Sequence, residues 1–289
     1  MRRVSAGVLV AFLIVAAGCA GKKKVIPPEK LWSQADEAYN DEAWEYAVDR
    51  YKMFLDQHPF DPRAEEAELR IAESYYLSRR YPEAIAAFGD FERMHPTSPN
   101  LAQVEYQLGM SYLAQGSSPN RDQQPYTNAM TYFRNAADRF PQSPYAEKAR
   151  LRMKECREEL ALHEADIARW YLRHSNIRAA ESRLRGMLVD YPDCEATAQV
   201  LYDFAKFYSS RDEDEGATLA LATIARHHPD GKLGREARER LGPTNPFPES
   251  QDPTTLMVAM LDRVRDQSDR QKAPPTVSAY PEVGGVNAP

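Results

Sequence analysis

Small and bulky apolar positions recur along this chain at a fixed spacing. An Ala is followed four residues later by a bulky apolar residue, and a Pro falls eight residues after that. The pattern reads Ala47, Tyr51, Pro59; Ala84, Phe88, Pro96; Ala129, Phe133, Pro141; Ala180, Leu184, Pro192; and Ala217, Leu221, Pro229. Positions four apart share one helical face, and Pro ends a helix because it lacks the N–H and restricts the residue before it. Each pattern therefore predicts a helix with a small-plus-bulky face. Twelve residues before the Ala stands another small residue, Ala35, Ala72, Ala168 or Ala205, with Ala38, Tyr75, Tyr171 or Tyr208 three residues on. Gly109 and Tyr112 are the same pair in the third unit. These predict a first helix whose small residue lets its partner approach. A helical hairpin of this kind cannot bury its apolar face alone, so the units must stack.

The small markers at 35, 72 and 109, and again at 168 and 205, are 37 residues apart, but 59 separate Gly109 from Ala168. Part of the excess is an eight-residue insertion after Tyr112, whose stretch from Gly116 to Pro125 is a loop by composition. The rest lies between Pro141 and Ala168. Tyr145 to Arg173 contains no Pro or Gly and is rich in Ala, Leu, Glu and Arg, so it predicts one helix lengthened by about four turns. The unit resembles the tetratricopeptide repeat, whose length is about 34 residues. The fold expected is an all-α, right-handed solenoid of five such hairpins, with a lengthened helix between repeats three and four. Repeats one to three occupy 29–141, the long helix and repeats four to five 142–241, and a Pro-rich, mostly disordered tail 242–289, in which Leu256 to Val264 is a candidate short amphipathic helix.

Residues 1–18 read as a signal peptide: Arg2 and Arg3 supply the basic start and Val8 to Ala17 an apolar core too short for a permanent span. Ala16, Ala17, Gly18 and Cys19 resemble the lipobox of bacterial lipoproteins, which implies cleavage before Cys19 and its lipidation. Ala20 is not the Asp that in such proteins often signals retention in the inner membrane, and this favours the outer one. Residues 19–28 form the anchor and linker, with Lys22, Lys23 and Lys24 placed to lie against anionic headgroups or in solvent.

The formal net charge is −6, and loss of residues 1–18 removes only Arg2 and Arg3, leaving −8. An acidic array is a poor polyanion binder, which argues against nucleic acid. Two cysteines remain, Cys156 and Cys194, at nearly the same level of neighbouring first helices; they join in a disulfide or stay buried as free thiols. His58, His95 and His228 each precede a unit-ending Pro and recur because the unit recurs. No metal-ligand spacing, phosphate-binding Gly loop or nucleophile motif is present, so neither catalysis nor a metal or other cofactor is expected beyond the lipid on Cys19.

In a hairpin solenoid the first helices line the concave side. Residues three before, one after and four after each small marker turn toward it: Trp32, Asp36 and Tyr39; Leu69, Glu73 and Tyr76; Tyr106, Met110 and Leu113. This aromatic strip edged with carboxylates suits an extended peptide carrying aromatic side chains, with about half of the rings assigned to packing between units. The later units offer Arg169, Leu172, Tyr202 and Lys206, a more basic and less aromatic set.

The stretch from Asn120 to Pro192 resembles the BamD family, the tetratricopeptide lipoproteins of outer-membrane β-barrel assembly. Asn120 to Gln123 resembles its Asp-Arg-Asp loop motif, with Asn120 in place of the first Asp. Phe140 to Ala146 resembles its Tyr-Pro-Asn-Ser turn, and His163, Glu164, Ala168 to Tyr171 and Arg183 fall where the family has its long-helix and fourth-repeat motifs. The resemblance implies a non-enzymatic protein on the periplasmic side of the outer membrane, lipid-anchored in the inner leaflet. It implies docking on a BamA-type insertase, with Arg121, Asp122, Arg169 and Arg183 as contact residues. It also implies reception of the C-terminal signals of unfolded barrel proteins, and other assembly lipoproteins as further partners. The runner-up is another repeat lipoprotein of the cell envelope, a Tol-Pal coordinator or a pilotin.

Overall fold

The structure, a computed structural model, describes residues 25–116, 122–242, 247 and 251–272. Among these are twelve helices and no strand: α1 Pro28–Asn40, α2 Trp44–Gln57, α3 Ala64–Leu77, α4 Tyr81–Met94, α5 Leu101–Gln115, α6 Gln124–Arg139, α7 Pro144–Arg173, α8 Ile177–Asp190, α9 Glu195–Ser209, α10 Asp214–His227, α11 Lys232–Leu241 and α12 Pro253–Lys272. The chain divides into two compact units at Val104 and Glu105, within α5. In the first unit α1 packs on α2, α2 on α3 and α3 on α4. In the second, α6 packs on α7, α7 on α8 and α9, α9 on α10, and α10 on α11 and α12. Consecutive pairs in contact are the packing of a helical-hairpin solenoid.

The repeated pattern is the core. Ala47, Ala84, Ala129 and Ala180 are completely buried, as are Tyr51, Phe88, Phe133 and Leu184 four residues after them. The first-helix markers Ala35, Ala72, Ala168 and Ala205 are buried as well. At the marker Gly109 smallness is a steric requirement, since a Cβ there would lie 2.5 Å from the Phe133 ring; Gly216 of α10, next to the pattern's Ala217, is constrained in the same way, a Cβ there lying 2.9 Å from the Tyr208 ring. The lengthened helix is α7, 30 residues from Pro144 to Arg173. Ser143 caps it, its side-chain oxygen accepting the Tyr145 N–H at 3.2 Å.

Each first helix but α5 ends in the same turn. Glu42, Arg79, Ser175 and Asp212 have φ of 58°, 62°, 57° and 59°. The next amide reaches back to the helix: Ala43 N–H to Ala38 O at 2.8 Å, Arg80 to Tyr75 at 2.8 Å, Asn176 to Tyr171 at 3.0 Å and Glu213 to Tyr208 at 3.0 Å. This is the Schellman closure, usually built on Gly and here without one. The other ends of the hairpins are joined by the recurrent histidines. His58 Nε2 lies 2.7 Å from Ile26 O and His95 Nε2 lies 2.6 Å from Glu68 Oε2, while His228 Nδ1 is 3.7 Å from Glu195. The first two rings thus tie the end of a second helix to the start of its own first helix, and the His228 ring occupies the same place without a hydrogen bond to Glu195.

Cys156 and Cys194 are both buried free thiols, and burial raises each thiol pKa to about 12. The tail supplies more helix than its pattern predicts, since α12 runs well beyond Leu256–Val264. It lies against α8 and α10 with Met257 and Leu261 buried in their core. Arg185 of α8 grips Asp262 through Nε and Nη2 at 2.5 and 3.1 Å, and His227 meets the Thr254 hydroxyl at 2.8 Å. Residues 1–24, which include the signal segment and Cys19, and residues 273–289 lie outside the described residues.

Two predictions follow from this packing. Gly109→Ala forces the Phe133 ring to move and costs about 1–3 kcal/mol. Arg79→Gly relieves a left-handed residue and gains about 0.5–1 kcal/mol, so the two variants shift the thermal midpoint in opposite directions. The second prediction concerns α12. The Arg185 guanidinium holds the Asp262 carboxyl below the usual carboxylate range. A depressed carboxylate stabilises the docked helix above its unfolded pKa and loses that contribution as pH falls through the folded one. Undocking of α12, read by hydrogen exchange of its amides after correction for the intrinsic pH dependence of exchange, should therefore rise on acidification below about pH 4. Asp262→Asn should raise it already at pH 7 and flatten the pH response, and Leu261→Ala should raise it at every pH by removing buried apolar contact.

Candidate partner-binding surfaces

In the first unit the expected strip is built from α1 and α3, and the two helices are stitched together along it. Tyr39 donates its hydroxyl proton to Glu73 Oε2 at 3.0 Å, and Gln103 Nε2 donates to Glu73 Oε1 at 2.6 Å. The Arg70 guanidinium lies over the Tyr39 ring at 4.5 Å. Burial raises the pKa of the Glu73 carboxyl and of the Tyr39 phenol. Trp32 is a packing residue: its ring meets Tyr51 and Phe54 edge-on at 5.5 and 5.3 Å, with Arg63 stacked 5.2 Å away. Leu69 is buried. Asp36, Tyr39, Glu73 and Tyr76 are half-buried and keep part of their surface toward solvent. The accessible remainder is a set of tyrosine faces beside carboxylates.

A second concavity in this unit went unnoticed in the pattern. Gln34, Glu37, Ala38, Asp41, Ala43 and Tyr46, from α1, α2 and the turn between them, line a cleft of about 340 Å³. Arg50 lies 4.5 Å over the exposed Tyr46 ring. Ala38 apart, the repeat register does not distinguish these residues, because they lie off the buried face of α1, in the turn and at the start of α2.

In the second unit Tyr106, Met110 and Leu113 of α5 lean on the core of Ala129, Phe133, Ala136, Ala137, Ala149 and Cys156. Tyr106 packs 5.7 Å from Phe133 and 5.5 Å from Tyr145. These three are half-buried packing residues. Beside them Glu105 is completely buried, joined to Asn135 and Arg139 of α6.

The residues expected at the docking surface occupy separate networks. Arg121 lies outside the described residues. Asp122 is exposed and accepts the Gln124 N–H at 2.9 Å ahead of α6. Arg169 of α7 donates from Nε to Asp203 at 3.0 Å and from Nη2 to Gln199 at 3.2 Å, tying α7 to α9. Arg183 of α8 donates from Nη1 to both Glu164 oxygens at 2.9 and 3.3 Å. With Ser182, Gly186, Asp190 and Tyr191 this pair lines a polar cleft of about 370 Å³ between α7 and α8. Arg183 keeps 42% of its side chain exposed, and only Nη1 is engaged with Glu164. Trp170, within the Ala168–Tyr171 motif, is half exposed and stacked on His174 at 4.1 Å, an exposure that the motif does not reveal.

Among the described residues no group of His, Cys, Asp or Glu is arranged to hold a metal ion, and no helix is long and apolar enough to cross a membrane. The arrangement leaves two candidate surfaces: half-buried aromatics rimmed with carboxylates in the first unit, and an arginine–carboxylate cleft in the second.

Residues 24–222 match the family model of the YfiO outer membrane lipoproteins, and the match runs through both units. Among curated proteins, the chain is similar to the outer membrane protein assembly factor BamD of Caulobacter vibrioides, with 29% identity over 232 residues, 77% of this chain and 76% of that protein. The BamD of Vibrio cholerae is 29% identical over 197 residues, covering 64% of this chain and 82% of the relative. That of Rickettsia prowazekii is 25% identical over 223 residues, 76% and 89% of the two chains. With the hairpin packing and the Arg183 cleft already placed, the match over most of its length means that this chain belongs to the BamD family of outer membrane lipoproteins.

Proposed function

We propose that this chain is a non-enzymatic scaffold subunit of the outer-membrane β-barrel assembly complex. It is anchored through a lipid on Cys19, on the periplasmic side. It docks on a BamA-type insertase through its second unit, and it receives the C-terminal segments of unfolded barrel proteins on its first. The observation that carries the reading is the family match over residues 24–222, which takes in both candidate surfaces. The names of the relatives, assembly factors of outer membrane proteins, supply the class of process.

The surfaces support a division of labour on chemical grounds. Arg183 is held on Glu164 with donors to spare, a geometry suited to a carboxylate from a partner. Tyr39 and Tyr76 offer aromatic faces without the entropy cost of long flexible chains, as recognition of an aromatic chain end requires. Trp32 contributes by supporting that surface from beneath, through its contacts with Tyr51 and Phe54.

Two measurements test the halves separately. Arg183→Glu sets a like charge against Glu164 and removes the donor, so co-purification of the insertase from detergent-solubilised membranes should fall at least about tenfold with helicity unchanged. Retained insertase, or recovery of Tol-Pal or secretin components in its place, overturns the docking assignment. In the first unit, Tyr76→Ala combined with Asp36→Ala should weaken binding of a barrel C-terminal peptide ending in an aromatic residue, with a thermal midpoint that falls less than in Trp32→Ala. Trp32→Ala should lower that midpoint as well, because its ring is part of the core. Equal peptide affinity in wild type and the Tyr76/Asp36 variant removes the first unit as the receiving surface.

A further inference from the structure

The end of the first unit nearest the amino terminus carries an unusual exposure. Phe60, in the turn between α2 and α3, is 97% exposed, and Val25, the first described residue, is 66% exposed. Pro27, Pro59 and Pro62 are exposed beside them in sequence. Single exposed apolar residues are ordinary on protein surfaces. Here they are brought to one place by specific bonds. Ile26 donates its N–H to Gln57 Oε1 at 2.8 Å and its carbonyl oxygen meets His58 Nε2 at 2.7 Å. The chain therefore leaves the fold at the turn that carries Phe60.

That turn is braced. Asp61 N–H bonds His58 O at 3.1 Å and Ala64 N–H bonds Asp61 O at 2.9 Å. Arg63 clasps Asp61 through Nε and Nη2, each at 2.8 Å, and its guanidinium lies 5.2 and 5.3 Å from the Trp32 and Phe54 rings. Phe60 is thus held outward by a turn anchored on the hairpin core. The charges within the turn itself are neutralised: Arg63 pairs with Asp61 and lies 3.9 Å from Glu29. An approach to a low-dielectric surface would strand few charges here.

What lies on that side is set by the chain itself. Cys19 is six residues before Val25, so Val25 cannot be farther than about 22 Å from it even with the intervening chain fully extended. Lys22, Lys23 and Lys24 fill the interval, and basic residues next to an anchor favour anionic headgroups. We propose that the α2–α3 turn, with Phe60 at its tip and Val25 beside it, seats in the headgroup region of the lipid bilayer and fixes the orientation of the first unit on the membrane. A lipid on Cys19 alone tethers the protein without orienting it; a rigid apolar tip beside the tether supplies the second contact. The proposal rests on the lipidation of Cys19 and goes beyond the assembly role, which states no seat for this unit.

The test uses full-length lipidated protein purified from membranes and bound to vesicles of phosphatidylethanolamine and phosphatidylglycerol. Phe60→Trp is read as a difference spectrum against wild type, which has three tryptophans of its own. Leu77→Trp is the control, since Leu77 is 44% exposed at the end of α3, a helix length away from the turn. The seat predicts that on vesicles the Phe60→Trp emission shifts to shorter wavelength and is quenched by brominated acyl chains, while Leu77→Trp remains water-like. Water-like emission from Phe60→Trp in protein that floats with the vesicles overturns the seat and leaves the anchor intact, pointing instead to a protein contact for this turn. Equal shifts at both positions overturn it too, because they mean contact without a fixed orientation. Failure of the wild type to float removes anchor and seat together, and loss of flotation on Cys19→Ser confirms the anchor on which the seat depends.

Discussion

The close approach of two helices at a small residue is the constraint on which each hairpin depends. Gly109 under Phe133 and Gly216 under Tyr208 show it most sharply, since a single added methyl would collide with the ring. At Ala35, Ala72, Ala168 and Ala205 the methyl is accommodated and fully or almost fully buried. A bulky residue four positions after a small one then fills the space that the small residue leaves open, and interior packing at this density tolerates little change in either. Because the hairpin has no other way to close its core, the small-and-bulky register survives through both units. It survives even where an insertion and a 30-residue helix interrupt the spacing.

That register is why so much of the fold could be read from residue order. Apolar periodicity reports burial, and burial of Ala47, Phe88, Phe133 and Leu184 is what the pattern encodes. Features that do not rest on burial were invisible. The left-handed turn at Glu42, Arg79, Ser175 and Asp212 recurs as faithfully as the buried positions, yet carries four different side chains and never Gly. The closure there is made by backbone amides, which every residue has, and the two flanking helices impose the strained φ. The docking of α12 was hidden for a related reason. Its deepest apolar contacts are Met257 and Leu261, and among its ties to the core is Asp262 meeting Arg185, residues 77 apart in the chain. No local window contains such a pair.

The binding surfaces were legible to a lesser extent, because the helical register assigns a direction to a side chain but not its occupation. Trp32 and Leu69 point where the register sends them, and are then claimed by the core. Tyr39, Glu73 and Arg169 also turn that way, and each is engaged with a neighbouring first helix. What remains open is smaller than the strip drawn from the sequence, and it is held more firmly.

A regularity in those ties explains why. Tyr39 with Glu73, Arg169 with Asp203, and Tyr202 with Glu236 each join residues 34 apart, linking one first helix to the next. The hairpin period is 37, so each tie reaches back by three residues, one helical turn. At these three steps a polar bond fastens one stacked helix to the next, and α3 is tied to α5 by Gln103 and Glu73, 30 residues apart. A half-buried carboxylate such as Glu73 is tolerable only because Tyr39, Arg70 and Gln103 all serve it. The same bonds fix the tyrosine ring whose face a partner would meet. Stacking and recognition therefore draw on the same side chains: the residues that hold neighbouring hairpins in register are those that keep the exposed surface preorganised. A substitution at Tyr39 or Glu73 would consequently loosen the stack and blur the surface together.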